Sequence, residues 1–343
     1  MTSSQSSETV KLASAGQEST LETGLSLAKS LYVKDTTIWL NGELGAGKTT
    51  FVQGLGIGLG LGNKITSPTY ALENRYDDKL LHADLYRLDP DEAKRIMEES
   101  GDFPGVRAVE WSERVKVDKV GKVDKVNKDI EVLFKETSPN ERDITITFCD
   151  VNWPDRETIE KWREEVRLPE HVQIHCDTVG KLAYDLAQEL LKQGTVVRPE
   201  AVKKAGELHD LFRFVDFSQR NIPHAKEPDT ETKNHWEELS KKYPGSHEEA
   251  CAGFLRDKGF GEIATIIQPH GLKMIDSAET TEQKLLFYAD KRVKFDQIVS
   301  LDERFDDFAE RYGNGKESAQ AKEWRKKTKE MERELFPNKP TSL

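Results

Sequence analysis

The chain has 343 residues, more than one hydrophobic core ordinarily organises, so we expect two domains. Its 51 basic and 62 acidic side chains give a formal net charge of −11, which argues against broad non-specific binding of nucleic acid because such binding relies on a basic surface. No apolar run approaches the roughly 18 residues of a membrane-spanning helix, and three scattered cysteines argue against a disulfide framework, so we expect a cytoplasmic protein.

The first 150 residues alternate strand and helix patterns, which is typical of an α/β domain with a mainly parallel sheet. Residues 1–8 lack the basic start and apolar stretch of a signal peptide and are predicted to be a disordered leader. The elements predicted for the domain over residues 9–150 are, in chain order, a strand over 9–13, a helix over 21–31 capped by Ser19 and Thr20, a strand over 36–40, a helix beginning near Lys48, strands over 70–76, 80–85 and 106–111, and a hairpin over 129–134 and 143–148.

A glycine-rich turn, G-E-L-G-A-G-K-T over residues 42–49, joins the strand over 36–40 to the next helix. A strand before this pattern and a helix after it form the context in which it binds a nucleoside triphosphate. The backbone N–H groups of the turn favour phosphate, Lys48 can reach the β- and γ-phosphates, and the Thr49 hydroxyl can ligate Mg²⁺. The predicted cofactor-binding residues of the turn are Gly45, Ala46, Gly47, Lys48, Thr49 and Thr50, and Lys48 is also predicted to be catalytic.

Three later segments offer the remaining groups of such a site. Thr69 lies in T-S-P-T-Y and can sense the γ-phosphate, while Asp84 lies near a strand end, where a carboxylate can orient water or hold a metal. Glu110 ends an apolar strand, which is the position expected of an acidic partner for Mg²⁺, and Trp111 follows it.

Taken in order, G-E-L-G-A-G-K-T-T-F, T-S-P-T-Y, H-x-D-L-Y-R-L and V-E-W-S-E-R are similar to the TsaE family of bacterial ATPases, which are required for threonylcarbamoyladenosine formation in tRNA. The resemblance spans roughly residues 10–150 and implies ATP with Mg²⁺ as cofactor, TsaD- and TsaB-like proteins as partners and tRNA as an indirect partner. The implied roles are phosphate and Mg²⁺ binding for Lys48, Thr49, Thr69 and Glu110, support of hydrolysis for Asp84, and packing near the nucleotide for Trp111.

The character of the chain changes after about Asp150, where helical periodicity takes over. We expect a linker over 151–165, an all-α domain over 166–312 and a charged helical tail over 313–343. Residues 115–128 contain a near-repeat of K-V-D that fits either a solvated excursion between strands or a basic arm touching RNA, and both interpretations stay open.

Four histidines and two aspartates in the second half form a candidate metal site. The adjacent pair His209-Asp210 closes a helical run, so two differently aimed ligands can share one centre. A carboxylate can bridge two cations while neutral imidazoles take the outer positions, and such a pair activates a bridging water and clamps a phosphate. The predicted ligands are His175, His209, Asp210, His247, His270 and Asp290, with Asp210 also predicted to be catalytic.

The flanking segments V-Q-I-H-C-D-T-V-G-K-L-A, A-G-E-L-H-D-L, S-H-E-E-A-C-A-G-F-L, I-I-Q-P-H-G and L-F-Y-A-D-K resemble the HD-domain phosphohydrolase superfamily over about residues 166–300. The six ligands resemble its two-metal subset, which implies Mn²⁺ or Fe. Arg213 occupies the place of the usual basic residue and can bind phosphate bidentately. The phosphate-binding candidates are Lys181, Arg213, Lys291 and Arg292, while His171, His224 and His235 do not match the pattern.

Together the two sites predict a bifunctional protein: an ATPase supporting threonylcarbamoyladenosine modification of tRNA, and a metal-dependent hydrolase of a nucleotide-type phosphomonoester or phosphodiester. Two alternatives stay open. In one, ATP binding gates docking to the tRNA-modifying partners while the HD half senses a nucleotide, and in the other the HD half processes RNA ends. The non-catalytic interpretation of the six candidate ligands is an HD fold that has lost its metal and its activity.

Overall fold

A computed structural model of the chain describes residues 6–32, 35–68, 71–114, 129–219, 227–313 and 315–337. Its contacts divide the chain into two compact units. The N-terminal unit comprises Met1–Val151 with Leu191–Val197, and the C-terminal unit comprises Asn152–Leu190 with Arg198–Leu343. Within the described ranges, no helix is both long enough and apolar enough to span a bilayer.

The N-terminal unit alternates strands and helices. Its elements are β1 (Glu8–Ser14), α1 (Gln17–Ala28), β2 (Thr37–Asn41), α2 (Lys48–Gly58), β3 (Glu73–Tyr76), β4 (Leu80–Asp84), α3 (Pro90–Glu99), β5 (Val106–Glu110), β6 (Ile130–Ser138) and β7 (Glu141–Phe148). The hairpin of β6 and β7 extends beyond the predicted strands, because backbone pairing continues through the polar residues 135–138 up to the turn.

These strands form one sheet in the order β1-β7-β6-β2-β5-β4-β3. Parallel pairing joins β6, β2, β5 and β4 at its centre, while antiparallel pairs add β7, β1 and β3 at the edges. The α/β class with a mostly parallel sheet is therefore confirmed. In an open parallel sheet ligands bind beyond the carboxyl ends of the strands, and here β2, β4 and β5 end together.

A close crossing of α1 and α2 holds the helix that follows the glycine-rich turn. A Cβ atom on Gly54 would lie 1.8 Å from the Leu21 carbonyl oxygen, and one on Gly24 would lie 2.0 Å from that of Phe51. Helix α1 begins at Gln17, earlier than predicted, so Thr20 is not a cap. Its hydroxyl instead donates to the Gly16 carbonyl within the helix at 2.9 Å.

Among its described residues, the C-terminal unit is helical apart from one small hairpin. Its elements are α4 (Arg156–Glu165), α5 (Glu170–Lys192), α6 (Pro199–Leu208), α7 (Thr230–Lys242), α8 (His247–Asp257), α9 (Gly261–Ile267), α10 (Thr281–Asp290), the strands β8 (Val293–Lys294) and β9 (Gln297–Ile298), α11 (Leu301–Gly313) and α12 (Ala319–Leu335), with short 3-10 helices at Arg213–Gln219, Gln268–His270 and Leu272–Ser277.

Two segments expected at the margins of this unit are part of its core. The predicted linker over 151–165 contains α4, whose Trp162 is buried with its ring 5.5 Å from that of Phe254. The predicted tail contains α12, whose Met331 and Leu335 are buried. The linker prediction failed because the charged residues of α4 hide its apolar stripe at helical spacing.

Two contacts align the helices that carry the candidate metal ligands. Helices α5 and α6 cross so closely that a Cβ atom on Gly206 would lie 2.5 Å from the Cα of Gly180. Arg198, just before α6, and Glu282, in the first turn of α10, form a fully buried ion pair at 2.9 Å. Helix α6 is thereby held to α5 near its end and to α10 at its start.

Candidate functional site

The glycine-rich turn has a backbone that only glycine adopts readily. Gly45 and Gly47 have φ angles of 80° and 100°, in the region where a Cβ atom is strained. A Cβ atom on Gly42 would also lie 2.8 Å from the Phe134 carbonyl oxygen. The turn is therefore shaped by glycine and leads directly into α2, whose first residue is Lys48.

Lys48 is buried at the start of α2. Its Nζ donates to the carbonyl oxygens of Gly42 and Glu43 at 2.7 and 2.9 Å, and it lies 3.8 Å from the centre of the Trp111 ring. Burial lowers the pKa of Lys48, an effect that the negative charge of Glu110 opposes. The ammonium group thus stands at the turn, held by carbonyls that a phosphate can replace.

Glu110 connects the glycine-rich turn to the neighbouring strand. Its Oε1 accepts a hydrogen bond from the Thr49 hydroxyl at 2.8 Å and lies 2.9 Å from Nε2 of the buried His82. Asp84 and Glu110 are register partners on β4 and β5, so both carboxylates lie at the same edge of the sheet. Thr49 and Glu110 can therefore supply oxygen ligands to one Mg²⁺ ion, with the Asp84 carboxylate at the same edge of the sheet.

Trp111 closes one side of this site. Its φ angle of 63° is rare for a residue with a side chain, and its backbone N–H donates to the Leu40 carbonyl at 2.9 Å. The ring packs against that of Tyr86, with centroids 4.8 Å apart. This strained backbone places the indole over Lys48.

Two further groups complete the description of the site. Arg142, on β7, donates to the Ala46 carbonyl at 3.2 Å and so braces the turn, although no motif marks it in the sequence. Thr69, predicted to contact the γ-phosphate, lies outside the described residues, as do residues 115–128. Thr50 lies in the first turn of α2.

The sequence of the N-terminal unit is similar to that of a known protein family. The family described as "Threonylcarbamoyl adenosine biosynthesis protein TsaE" matches residues 14–144. A relative from Nostoc sp., named tRNA threonylcarbamoyladenosine biosynthesis protein TsaE, is 45% identical over 31% of this chain and 69% of that protein. One of the same name from Streptomyces coelicolor is 35% identical over 38% of this chain and 92% of that protein. The chain belongs to the TsaE family.

This membership rests on the N-terminal unit, which we call the TsaE unit. Because 92% of the Streptomyces protein is covered, the likeness extends well beyond the glycine-rich turn. Among solved structures, the crystal structure of Bacillus subtilus YdiB is 27% identical, with 43% of this chain and 89% of that chain covered and a TM-score of 0.32.

The second cluster of predicted residues lies in the C-terminal unit, outside the TsaE match. One triad of possible metal ligands is His175, His209 and Asp210, and another is Asp210, His247 and His270; within each, the ligand atoms lie within 4.8 Å of one another. Asp290 adjoins the first triad, with its Oδ1 3.1 Å from Nε2 of His175. All six predicted ligands therefore converge, and Asp210 is shared.

The outer nitrogens of the imidazoles are fixed by partners that turn the inner nitrogens toward Asp210. His209 Nδ1 lies 2.8 Å from the Gly206 carbonyl oxygen, and His270 Nδ1 lies 2.8 Å from that of Ile267. His247 Nδ1 lies 2.8 Å from a carboxylate oxygen of Asp216. This arrangement of supporting contacts is typical of metal-binding histidines.

Two buried atoms at the centre of the cluster make no hydrogen bond with any described residue. They are Nε2 of His209 and Oδ1 of Asp210. A buried polar atom without a hydrogen bond costs free energy, so two such atoms within one cluster of potential metal ligands fit a site for a cation. The donor set of imidazoles and carboxylates suits a divalent transition-metal ion.

The carboxylates of the cluster are held in their charged form. Burial alone would raise the pKa of Asp210, but Arg213 and His209 hold it well below its ordinary value. Lys291 similarly outweighs burial and lowers the pKa of Asp290. Burial lowers the pKa of His270, which favours the neutral ring that a metal requires.

Arg213 takes part in this cluster through its guanidinium group. One of its nitrogens lies 2.8 Å from Nε2 of His247 and 3.5 Å from Oδ1 of Asp210. A positive charge therefore stands beside the atoms that would hold a cation. Lys291 contacts Asp290 and donates to the His270 carbonyl at 2.9 Å.

A cavity of about 670 Å³ opens beside the cluster and has Arg213 and Lys291 in its wall. The other two phosphate-binding candidates are absent from that wall: Lys181 is exposed on α5, and Arg292 is held by the Val299 carbonyl and the Tyr288 hydroxyl. Neither side chain lines this cavity, and their predicted phosphate-binding role stays a prediction.

The sequence reading missed Asp216 and Glu248, which both contact His247 Nδ1. Glu248 directly follows the predicted ligand His247 in the sequence, whereas no sequence motif marks Asp216. Of the histidines outside the pattern, His235 binds the Glu165 carbonyl and His171 stacks on Phe217. His224 lies outside the described residues.

Proposed function

We propose that the chain is bifunctional, with a TsaE unit that hydrolyses ATP in support of threonylcarbamoyladenosine formation in tRNA. The observation that carries this half is the hydrogen bond between Thr49 and Glu110 beside Lys48. It lies in the part of the chain that is similar to relatives named as TsaE proteins. TsaD- and TsaB-like proteins are the proposed partners, with tRNA reached through them.

In this proposal ATP binds with its β- and γ-phosphates along the glycine-rich turn. Lys48 exchanges the Gly42 and Glu43 carbonyls for phosphate oxygens, while Thr49 and Glu110 hold Mg²⁺. His82 keeps the Glu110 carboxylate turned toward Thr49. Asp84 orients the attacking water from the neighbouring strand, and Trp111 shields Lys48 from solvent.

The C-terminal unit is proposed to be an HD-type phosphohydrolase. The observation that carries this half is Asp210, which belongs to both ligand triads and has a buried oxygen without a hydrogen bond among the described residues. A divalent metal held by these side chains supplies Lewis-acid activation of water and neutralises phosphoryl charge. Arg213 lies close enough to move from His247 onto a phosphate oxygen.

The remaining residues of the cluster keep the ligands in place. Asp216 and Glu248 orient His247, and the Phe295 carbonyl lies 3.0 Å from Nδ1 of His175. Lys291 balances the charge of Asp290 at the cavity wall. The substrate is proposed to be a nucleotide-type phosphoester.

Separate variants of the full chain test the two-site proposal. Lys48→Ala is expected to lower ATP hydrolysis at least about 100-fold and to leave a Mn²⁺-stimulated phosphatase activity unchanged, because the substitution removes charge at one turn only. His209→Ala with Asp210→Ala is expected to do the reverse. Lys326→Ala, on the exposed side of α12, is the control.

Loss of the same single activity in both variants would overturn the two-site proposal. ATP hydrolysis that rises only when the partner proteins are added, in a chain that retains no metal, would favour the regulatory alternative.

A further inference from the structure

Part of the wall of the cavity beside the ligand cluster comes from the C-terminal segment of the chain. It is formed by α11, the turn after it and the first half of α12. The residues of this wall are Arg304, Phe305, Phe308, Ala309, Gly313, Lys316, Glu317, Ser318, Ala321 and Trp324. The candidate metal ligands and an aromatic surface thus face one space.

Trp324 is an aromatic residue of this wall whose indole has no ring or hydrogen-bond partner among the described residues. It is partly exposed, and among the described residues its ring meets no other aromatic ring and its indole N–H makes no hydrogen bond. Trp236, by contrast, stacks on Phe214 and donates to the Val166 carbonyl at 2.9 Å. An indole left open at a cavity offers both a flat apolar face and a polar donor to a ligand.

The cations of the wall are suited to one phosphate group. Arg304 is bound to Asp307 at 3.0 Å, and Lys291 contacts Asp290. Lys273 and Lys316 are exposed and have no carboxylate partner within 4.0 Å in the described parts of the chain. Arg304 and Lys291 are thus balanced by carboxylates, whereas Lys273 and Lys316 leave positive charge for about one phosphate group. A cavity of about 670 Å³ lies within the range of sites for molecules the size of one nucleotide.

We propose that this cavity binds a nucleoside monophosphate whose base stacks on Trp324 while its phosphate reaches the Asp210 cluster. The inference rests on the proposed phosphohydrolase function of the C-terminal unit and names its substrate. In the reaction, the oxygen of water forms a new P–O bond and the ester P–O bond breaks. The proton from water passes to the leaving alkoxide oxygen, so the products are a nucleoside and inorganic phosphate.

The test compares two substrates that differ only by a base. Adenosine 5′-monophosphate and ribose 5-phosphate are hydrolysed with Mn²⁺ by the full chain and by Trp324→Ala, Trp324→Phe and the control Lys326→Ala. Base stacking on an aromatic side chain predicts that Trp324→Ala raises KM for the nucleotide about 10-fold or more. Trp324→Phe retains most of the affinity, and ribose 5-phosphate shows no change in any variant.

Equal losses on both substrates in Trp324→Ala, or no loss on either, would overturn the inference. So would a clear preference for a short oligonucleotide over the mononucleotide.

A binding measurement separates this inference from the proposed activity. Adenosine monophosphate is titrated into metal-free protein while tryptophan fluorescence is recorded. Quenching that is present in the full chain and absent in Trp324→Phe supports the binding site even if no hydrolysis is found, in which case only the proposed activity fails. Identical curves for the two proteins would refute the role of Trp324.

Discussion

Glu110 is the residue on which the nucleotide site of the TsaE unit converges. One of its oxygens accepts from Thr49, and the same oxygen faces His82, whose other ring nitrogen is buried without a hydrogen bond in the described ranges. A short buried contact of this kind holds the carboxylate in one orientation. It thereby prepares an oxygen ligand at the position where Mg²⁺ is expected.

We therefore predict that Glu110→Gln lowers kcat for ATP hydrolysis at least about 100-fold and raises the Mg²⁺ concentration needed for half-maximal rate, because an amide lacks the charge that binds the ion. Steady-state hydrolysis measured over a Mg²⁺ series checks this. Glu98→Gln, an exposed carboxylate on α3, is the matched control and should stay near the wild-type rate. Equal effects of the two substitutions would contradict the role of Glu110.

At the scale of elements, the crossing of α5 and α6 decides whether the metal ligands meet. Gly180 and Gly206 allow the two helices to touch along their backbones. His175 on α5 and His209, which directly follows α6, both lie within two helical turns of this contact. A wider crossing would separate the first ligand triad.

Gly206→Ala is predicted to lower both metal content and stability of the C-terminal unit. The added Cβ atom would lie 2.5 Å from Gly180 Cα, and overpacking of this kind costs about 1–3 kcal/mol. Metal analysis after Mn²⁺ loading and urea unfolding give the two readouts. Gly261→Ala, at the start of α9 with no atom within 4 Å of the new Cβ, is the control. Full metal content in Gly206→Ala would show that the crossing does not set the cluster.

For the whole molecule, two ligand sites on two compact units imply two separate linkages between binding and stability. A ligand that binds only the folded state stabilises it by about 2.7 kcal/mol at 100 times its dissociation constant. The sites share no residue, so each ligand should act through its own unit.

Mn²⁺ is accordingly predicted to raise the Tm of the C-terminal unit by on the order of 5 °C, and ATP with Mg²⁺ to raise that of the TsaE unit. Differential scanning calorimetry of the full chain measures both shifts. Asp210→Asn should abolish the first shift and keep the second, whereas Lys48→Ala should do the opposite. A Mn²⁺ shift that persists in Asp210→Asn would place the metal elsewhere.

The sequence by itself determined the features that are local in the chain. The glycine-rich turn between β2 and α2, the acidic ends of β4 and β5 and the order of strands and helices could be predicted, because each depends on neighbouring residues and short-range backbone geometry. The six candidate metal ligands were also identified in advance, although only as positions in a pattern that resembles a family.

Only the tertiary structure decided which distant groups complete the sites. Arg142 reaches the turn because β7 returns beside β6, and Asp216 reaches His247 because a 3-10 helix follows Asp210. Trp324 lines the same cavity as the ligand cluster because α12 packs onto the unit, and the predicted linker forms α4, which also packs onto the unit. Such convergence follows from the packing of whole helices and strands, whose relative placement depends on contacts between residues far apart in the sequence.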